Sequence, residues 1–458
     1  MTPAHAIGID LGTSGVRAAA LSEDGAVLHL AAFAYDDARA GRDPSSWWRG
    51  VEFCLVELAG RVSLSSVRGL AVDGTSGTML AVDKDGRPLG DVLMYNDTCP
   101  DMDIVARIGD VAPDGSPARG AASALARAIY LSRRDGVHKV VHQADWILWR
   151  LGLGGAASDE NNALKTGYDL EAECWPDWLE GVGMDVDLLP QVHRAGAPIA
   201  EIGPSGQRFG LSSNVILHAG TTDGCASFLA TGAREAGDGV TALGSTLVLK
   251  LACPSPISSS VYGVYSHRVL GFWLAGGASN SGGAVIRSLF DAAAFAQLTS
   301  ALDPDHPTGL DYYPLLRPGE RFPINDPTLP PRLVPRPAHD ATFFRACSKA
   351  SRASRNQAMI GSSSSAARRC APYAPSAEGP PMQAGRGCAS ARSGFHVSSR
   401  ARRRRRSARR FWCCRDRSVR HDACRLRGSS STGVALRHFL HRSVRRAARR
   451  SVRLSRRQ

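Results

Sequence analysis

The sequence predicts an α/β protein of two domains facing a central cleft, the second of them incomplete. Three observations carry this prediction. Strand-like and helix-like segments alternate, with ordinary composition, up to about Pro337. A strand-turn-strand unit near the N-terminus recurs more than two hundred residues later, and the chain changes character beyond residue 340.

The first unit is AIGIDLGTSGVRAAALSEDGAVL, beginning at Ala6. Ile7, Ile9 and Leu11 alternate with small residues, and Val16 to Leu21 resume as an apolar strand. Between them stands Gly12-Thr13-Ser14-Gly15, a tight turn rich in hydroxyls and backbone N–H groups. Glycine lets the backbone approach a ligand, and successive N–H groups make an anion-binding concavity. Asp10, at the strand end, can hold a hydrated Mg²⁺ opposite phosphates. The same residues also describe a hairpin that only needs glycine at positive φ, with Arg17 as an ordinary surface strand residue.

The second unit, GVTALGSTLVLKLAC at 239–253, repeats the plan around Gly244-Ser245-Thr246. Its equivalent strand context separates it from a chance Gly-Ser/Thr turn. Two such hairpins, one per domain, would grip a polyphosphate from both sides of a cleft. Between the units lies HAGTTDGCASFLATGA (218–233), read as a turn at Gly220-Thr221-Thr222 and a helix beginning near Asp223. An Asp at a helix start is most often an N-cap. Facing a cleft, the same carboxylate could take a proton from an acceptor hydroxyl. The residues alone leave both readings open.

The length of 458 residues suits two or three domains. The net charge of +14 suggests a nucleic-acid or membrane partner until it is divided along the chain. Residues 341–458 hold 30 of the 56 Lys and Arg and 3 of the 42 Asp and Glu, a net of +27, so residues 1–340 are acidic at −13. Five of the 11 cysteines precede residue 341, without CxxC spacing, so neither a disulfide framework nor a zinc site is indicated. The opening MTPAHAIGID has no signal-peptide pattern, and no uncharged apolar run reaches the roughly 18–20 residues of a membrane span. A cytoplasmic protein with no membrane partner is expected.

With these segments assembled, the chain resembles the FGGY family of carbohydrate kinases, within the actin-like ATPase superfamily. Asp10-x-Gly12-Thr13-Ser14 with Arg17 resembles the family's first phosphate loop, and Leu243-Gly244-Ser245-Thr246 the second. Gly220-Thr221-Thr222-Asp223 resembles the segment that carries the catalytic base. VDGTSGTMLAVDKDGRPLGDVLMYND (72–97), HQADWILWRLG, SDENNALKTGYDLE and GVYSHRVLGFWLAGGASNSGGAV resemble the plant and cyanobacterial D-ribulose kinase branch. Xylulokinases have Met-His-Gly where this chain has Gly74 to Thr78, and Trp-x-Asp-x-Arg where it has Tyr95-Asn96-Asp97-Thr98-Cys99. Those departures favour ribulose over xylulose.

The resemblance covers residues 5 to about 337. It implies a two-domain actin-like (ribonuclease H-like) fold, with an N-terminal domain at 1–217 and the first part of a C-terminal domain at 218–340, each around a mixed sheet. It implies ATP with Mg²⁺ and a small sugar acceptor, with Asp223 as base. Gly12, Thr13, Ser14, Arg17, Gly244, Ser245, Thr246 and Asn280 would hold nucleotide. Asp10 would place the metal and lie against substrate, and Gly74, Thr75, Ser76, Asn96 and Asp97 would meet sugar hydroxyls. D-xylulose, another ketopentose or a polyol such as glycerol are alternative acceptors, and a non-catalytic sugar sensor is an alternative role.

The family also needs a Gly-Gly-Gly turn with a nearby Asn to hold adenosine, and no such turn follows residue 340. Reading each codon from the third base of the printed one, Thr342 onward permits Phe-Leu-Gln-Gly-Leu-Leu-Glu-Gly-Ile-Ala-Arg-Ile-Glu, an amphipathic helix. The stretch 376–384 permits Gly-Gly-Gly-Ala-Ala-Asn. A frameshift near residues 338–342 is therefore expected, with 341–458 out of frame. It explains 29 Arg against one Lys, and six cysteines, after residue 340. Basic arms that bind nucleic acid usually mix Lys with Arg and carry few cysteines, so no nucleic-acid partner is expected. Low hydrophobicity with high net charge predicts disorder over 341–458.

Overall fold

The computed structural model describes residues 1–350 apart from 244, 245, 301 and 303–306. Along the chain, β1 (Ala6–Gly12), β2 (Gly15–Leu21), β3 (Val27–Ala34) and β4 (Gly69–Gly74) come first. The short strands β5 (Met79–Val82), β6 (Lys139–His142), β7 (Ala157–Asp159) and β8 (Gln191–His193) follow. Next are β9 (Pro198–Glu201) and β10 (Ile216–Thr222), and then β11 (Gly239–Leu243), β12 (Leu247–Cys253), β13 (Tyr265–Val269) and β14 (Phe272–Ser279).

The first large sheet runs β3-β2-β1-β4-β10-β9. β2 is antiparallel to β1 and β3, β4 and β10 run parallel to β1, and β9 is antiparallel to β10. This is the mixed ribonuclease H-like order. The helix Pro44–Ala59 packs on β2 and β3, burying Trp47, Val51, Leu55 and Leu58 at helical spacing. Asp43 caps it by accepting from the Ser45 N–H at 2.9 Å, with Pro44 in the first turn. These side chains share a core with Ile7, Ile9, Val16 and Leu70. A second core lies under β5, where the helices Met102–Val111 and Ala124–Ser132 bury Ile104, Leu125 and Ile129 around Met79.

Two expectations are corrected here. The boundary at 217/218 cuts through β10, which stays in the first sheet through Thr222. Gly220-Thr221-Thr222 is accordingly the end of a strand, not a turn. Gly220 is needed because β10 crowds β4 where the register shifts: a Cβ there would lie 1.7 Å from the Val72 carbonyl oxygen.

The second large sheet, β11-β12-β14-β13, is antiparallel throughout its described residues, where a mixed sheet was expected. Among the described residues β11 pairs with β12 alone, and Thr241 and Ala242 are exposed. Leu247, Leu249, Leu251 and Phe322 form its core. The expectation of disorder from residue 341 is not met over 341–350, which are helical. Phe343, Phe344, Cys347 and Ala350 make an apolar face on that helix, and Phe343 and Phe344 pack on Phe290. Helical periodicity is present there, against the sequence reading. The remaining residues of the Arg-rich segment lie outside the described ones. No helix among the described residues is long and apolar enough to cross a membrane.

Candidate active site

Parallel strand order is what gathers the site. Asp10 of β1 pairs in register with Asp73 of β4, which pairs with Thr221 of β10. The carboxyl ends of these three strands therefore lie side by side, where ligands of open α/β sheets sit. Residues 10–14, 74–76 and 223, far apart in sequence, meet at that edge.

Thr13 and Ser14 are exposed at the tip of the β1–β2 hairpin, in a two-residue loop closed by Gly12 opposite Gly15. The backbone behind them is pinned. The Tyr35 N–H donates to the Ser14 carbonyl at 3.0 Å, and a Cβ on Gly15 would lie 2.1 Å from the Phe33 carbonyl. The Trp47 indole donates to the Gly41 carbonyl at 2.7 Å, and Gly41 in turn abuts the Thr13 carbonyl. Arg17 reaches across the hairpin to Asp10, Nη1 to Oδ2 at 3.2 Å, and passes over Gly12. Gly244 and Ser245 of the second hairpin lie outside the described residues, and Thr246 is half-buried at the start of its return strand.

Asp223 is the first residue of the helix Asp223–Ala230, and Thr222 is its cap, accepting from the Cys225 N–H. The cap reading of Asp223 is thereby corrected. Its carboxylate, relieved of that role, accepts from the neighbouring Gly224 N–H at 2.7 Å. Asp223 is walled by protein on most sides yet open to solvent. Desolvation pushes its carboxyl above the ordinary range; the Gly224 bond opposes this, the Asp10 charge adds to it, and Lys165 and Lys250 pull the other way. The proton affinity of a carboxylate set against a second one is what a general base needs.

The sugar candidates divide. Ser76 has a buried hydroxyl with no partner among the described residues, so a bound hydroxyl would satisfy it. Thr75 is buried, with its Oγ1 2.8 Å from Gln143 Oε1 and 2.7 Å from Thr78 Oγ1, and Gly74 lies against Gln143. Asn96 is exposed. Asp97 is engaged by Arg42 through both guanidinium nitrogens, at 2.5 and 3.1 Å, and accepts from the Met94 N–H at 2.8 Å. Asn280 holds the 319–321 segment instead of pointing to an open site. Its amide donates to the Gly319 carbonyl at 2.9 Å and accepts from Arg321 at 3.0 Å.

Sequence reasoning missed the residues that tie these loops together. Buried Arg127 donates to the Gly77, Ala122 and Asp97 carbonyls, linking the loops at 74–78 and 95–97. Burial lowers its guanidinium to about 10, still cationic at neutral pH. Asn161 joins the two sheets: its amide donates to Thr221 Oγ1 at 3.0 Å and to the Arg268 carbonyl at 2.8 Å, and accepts from the Arg268 N–H at 3.0 Å. It thus pairs with the backbone of edge strand β13 as another strand would. The Arg268 guanidinium meets buried Glu160 at 2.6 Å. Both segments carry the resemblance, but nothing in their spacing marks a contact between residues 161 and 268.

Asp10 fits a magnesium ion as a single accessible hard-oxygen ligand. Among the described residues no group of three or more His, Cys, Asp or Glu could hold a metal, so water and phosphate oxygens would complete its shell.

Residues 5–107 match the model of the FGGY family of carbohydrate kinases, N-terminal domain. The chain is similar to a xylulose kinase of Klebsiella pneumoniae, 24% identical over 347 residues, 70% of this chain and 71% of the relative. The xylulose kinase of Escherichia coli strain K12 is 23% identical over 264 residues, 52% of each chain. Among solved structures, a kinase from Brucella ovis, named a xyloylose kinase, superposes with TM-score 0.70 at 20% identity, covering 78% of this chain and 79% of its own. The xylulose kinase from Rhodospirillum rubrum gives 0.67 at 21%, with 78% and 79% covered. Residues 5–107 thus form an N-terminal domain of the FGGY carbohydrate kinase type, and the chain shares the fold of the sugar kinases it superposes on.

Proposed function

We propose that this chain is built for ATP-dependent phosphorylation of a ketopentose at its terminal hydroxyl, with D-ribulose as the first acceptor to test. The observation that carries the reading is the meeting of Asp223, Asp10 and the Thr13-Ser14 turn at the ends of three adjacent parallel strands. Thr13 and Ser14, with Thr246 across the cleft, would hold phosphate oxygens through hydroxyls and N–H groups, and Asp10 would place Mg²⁺. The metal, when bound, neutralises phosphate charge. Asp223 would accept the proton of the attacking hydroxyl, and Ser76 would orient the sugar. Phosphoryl transfer asks little more of a protein than positioning and charge neutralisation. The departures from xylulokinase at Gly74–Thr78 and Tyr95–Cys99 support ribulose over xylulose.

The proposal includes a frameshift near residues 338–342 that replaces the adenosine-binding segment. Both frames begin the 340–350 helix with apolar residues, Phe343-Phe344 in the printed frame and Phe-Leu in the alternative, so the packing on Phe290 is compatible with either.

The test is a coupled ADP-release assay over a panel of ketopentoses and polyols, run on the printed chain and on the frame-restored protein. In the latter, Asp223→Asn should lower kcat by about 10³-fold or more while ATP affinity stays within about twofold. Retained turnover would remove Asp223 from the role of base. A base acts only when ionised, so kcat/KM should fall toward acid pH, with an inflection above the ordinary aspartate range because Asp223 is shifted upward.

A further inference from the structure

Among the described residues two lysines, Lys165 and Lys250, make no direct ion pair with a carboxylate, although Asp223 senses both charges. Lys165 follows the helix Glu160–Leu164 of the first domain, and Lys250 lies in β12 of the second. Lys250 and Tyr265 flank the same residue, Gly276 of β14, on its two sides. Both ammonium groups converge on that tyrosine. Lys165 donates to the Tyr265 hydroxyl and its Nζ lies 4.5 Å from the ring centroid, while Lys250 Nζ lies 5.9 Å from it. Lys250 also donates to His267 Nδ1 at 2.8 Å. Among the described residues no Asp or Glu oxygen comes within 4.0 Å of either ammonium.

A phenol and an imidazole are weak partners for two cations held partly or wholly out of water. Lys250 is 8% exposed and Lys165 half-buried. Glu160 and Glu173, which flank Lys165 in the chain, are held by Arg268. Asp223 feels both lysine charges, so whatever group stands before Asp223 stands in the same field. Burial pushes the Tyr265 hydroxyl up, but the two ammonium groups more than offset it and leave it lowered.

We propose that Lys165 and Lys250 form an oxyanion subsite at the joint between the two domains, beside Asp223. The occupant is a phosphoryl group on its way to the acceptor or a carboxylate carried by the acceptor. The phosphoryl source rests on the kinase reading; the subsite itself does not. Ammonium groups serve phosphate as mobile point charges, and here each comes from a different domain. An oxyanion between them relieves their mutual repulsion, so its binding favours the closed arrangement of the cleft.

The experiment is calorimetric titration of the full chain with inorganic phosphate and, separately, with gluconate as a carboxylate probe, without ATP or ketose. Saturable binding is expected, weakened about tenfold or more in both Lys165→Met and Lys250→Met and kept in Tyr265→Phe, whose ring remains. Because Lys250 is buried, its variant is first checked for folding by circular dichroism, and the half-buried Lys165 provides the independent arm. Preference for phosphate assigns the phosphoryl source, and preference for gluconate an acidic acceptor. No saturable binding of either probe, or equal affinity in wild type and Lys165→Met, overturns the subsite. Oxyanion binding without sugar-dependent ADP release in the frame-restored protein would sink the kinase reading and leave the subsite standing.

Discussion

Strands β1 and β11 begin the same kind of hairpin in two different settings. β1 is paired on both sides, by β2 and β4, and the turn it carries is backed by Tyr35, Phe33 and Gly41. β11 pairs on one side among the described residues, with Thr241 and Ala242 exposed. An unpaired edge leaves backbone groups to water or to a chance partner. The same local motif is therefore backed by strands on both sides in the first sheet and, among the described residues, stands at an edge in the second. What separates the two hairpins is the sheet behind each of them.

The largest test of this contrast restores the alternative reading frame between codons 330 and 350. ATP affinity measured by calorimetry should then improve from about millimolar to micromolar. Unchanged affinity would mean that β11 needs no further partner, and the contrast would fail.

A second test compares one glycine from each sheet. Gly220→Ala should lose about 3 kcal/mol in urea unfolding, because its Cβ would meet the Val72 carbonyl at 1.7 Å inside a sheet flanked on both sides. Gly276→Ala faces the Leu249 carbonyl at 2.0 Å, in a sheet whose open edge lets strands shift, and should lose about 1–2 kcal/mol. Equal losses would show that the two sheets are equally constrained. The smallest effect belongs to Thr222→Ala. Losing the cap should cost about 1 kcal/mol by thermal unfolding, and it should lower turnover if Asp223 then swings into the capping position.

Much of the first domain was legible in the sequence. Alternation around Ile7, Ile9 and Leu11, the glycine-bounded Thr13-Ser14 turn and Asp10 beside it are all written within fifteen residues. Asp223 was legible as a candidate but not as a choice between cap and base. The structure removes the cap reading through Thr222, whose hydroxyl accepts from the Cys225 N–H once β10 runs on to residue 222, and the base reading rests on the proposal tested by Asp223→Asn. The helix at 340–350 is masked in composition by the Arg-rich stretch that follows, while its aromatic pair Phe343-Phe344 is what packs.

By itself the sequence determined the strands, the hairpins and the acidic residues at their ends, because side-chain period and turn chemistry act over a few neighbours. Only the tertiary structure decided which of those ends stand together. Parallel pairing of β1, β4 and β10 set Asp10 beside Asp73 and brought Asp223 to the same edge. Docking of the second sheet laid Asn161 along β13 and set Lys165 against Tyr265. Contacts between residues a hundred apart leave no local period to read, since their free energy comes from surfaces that exist only after the strands have paired.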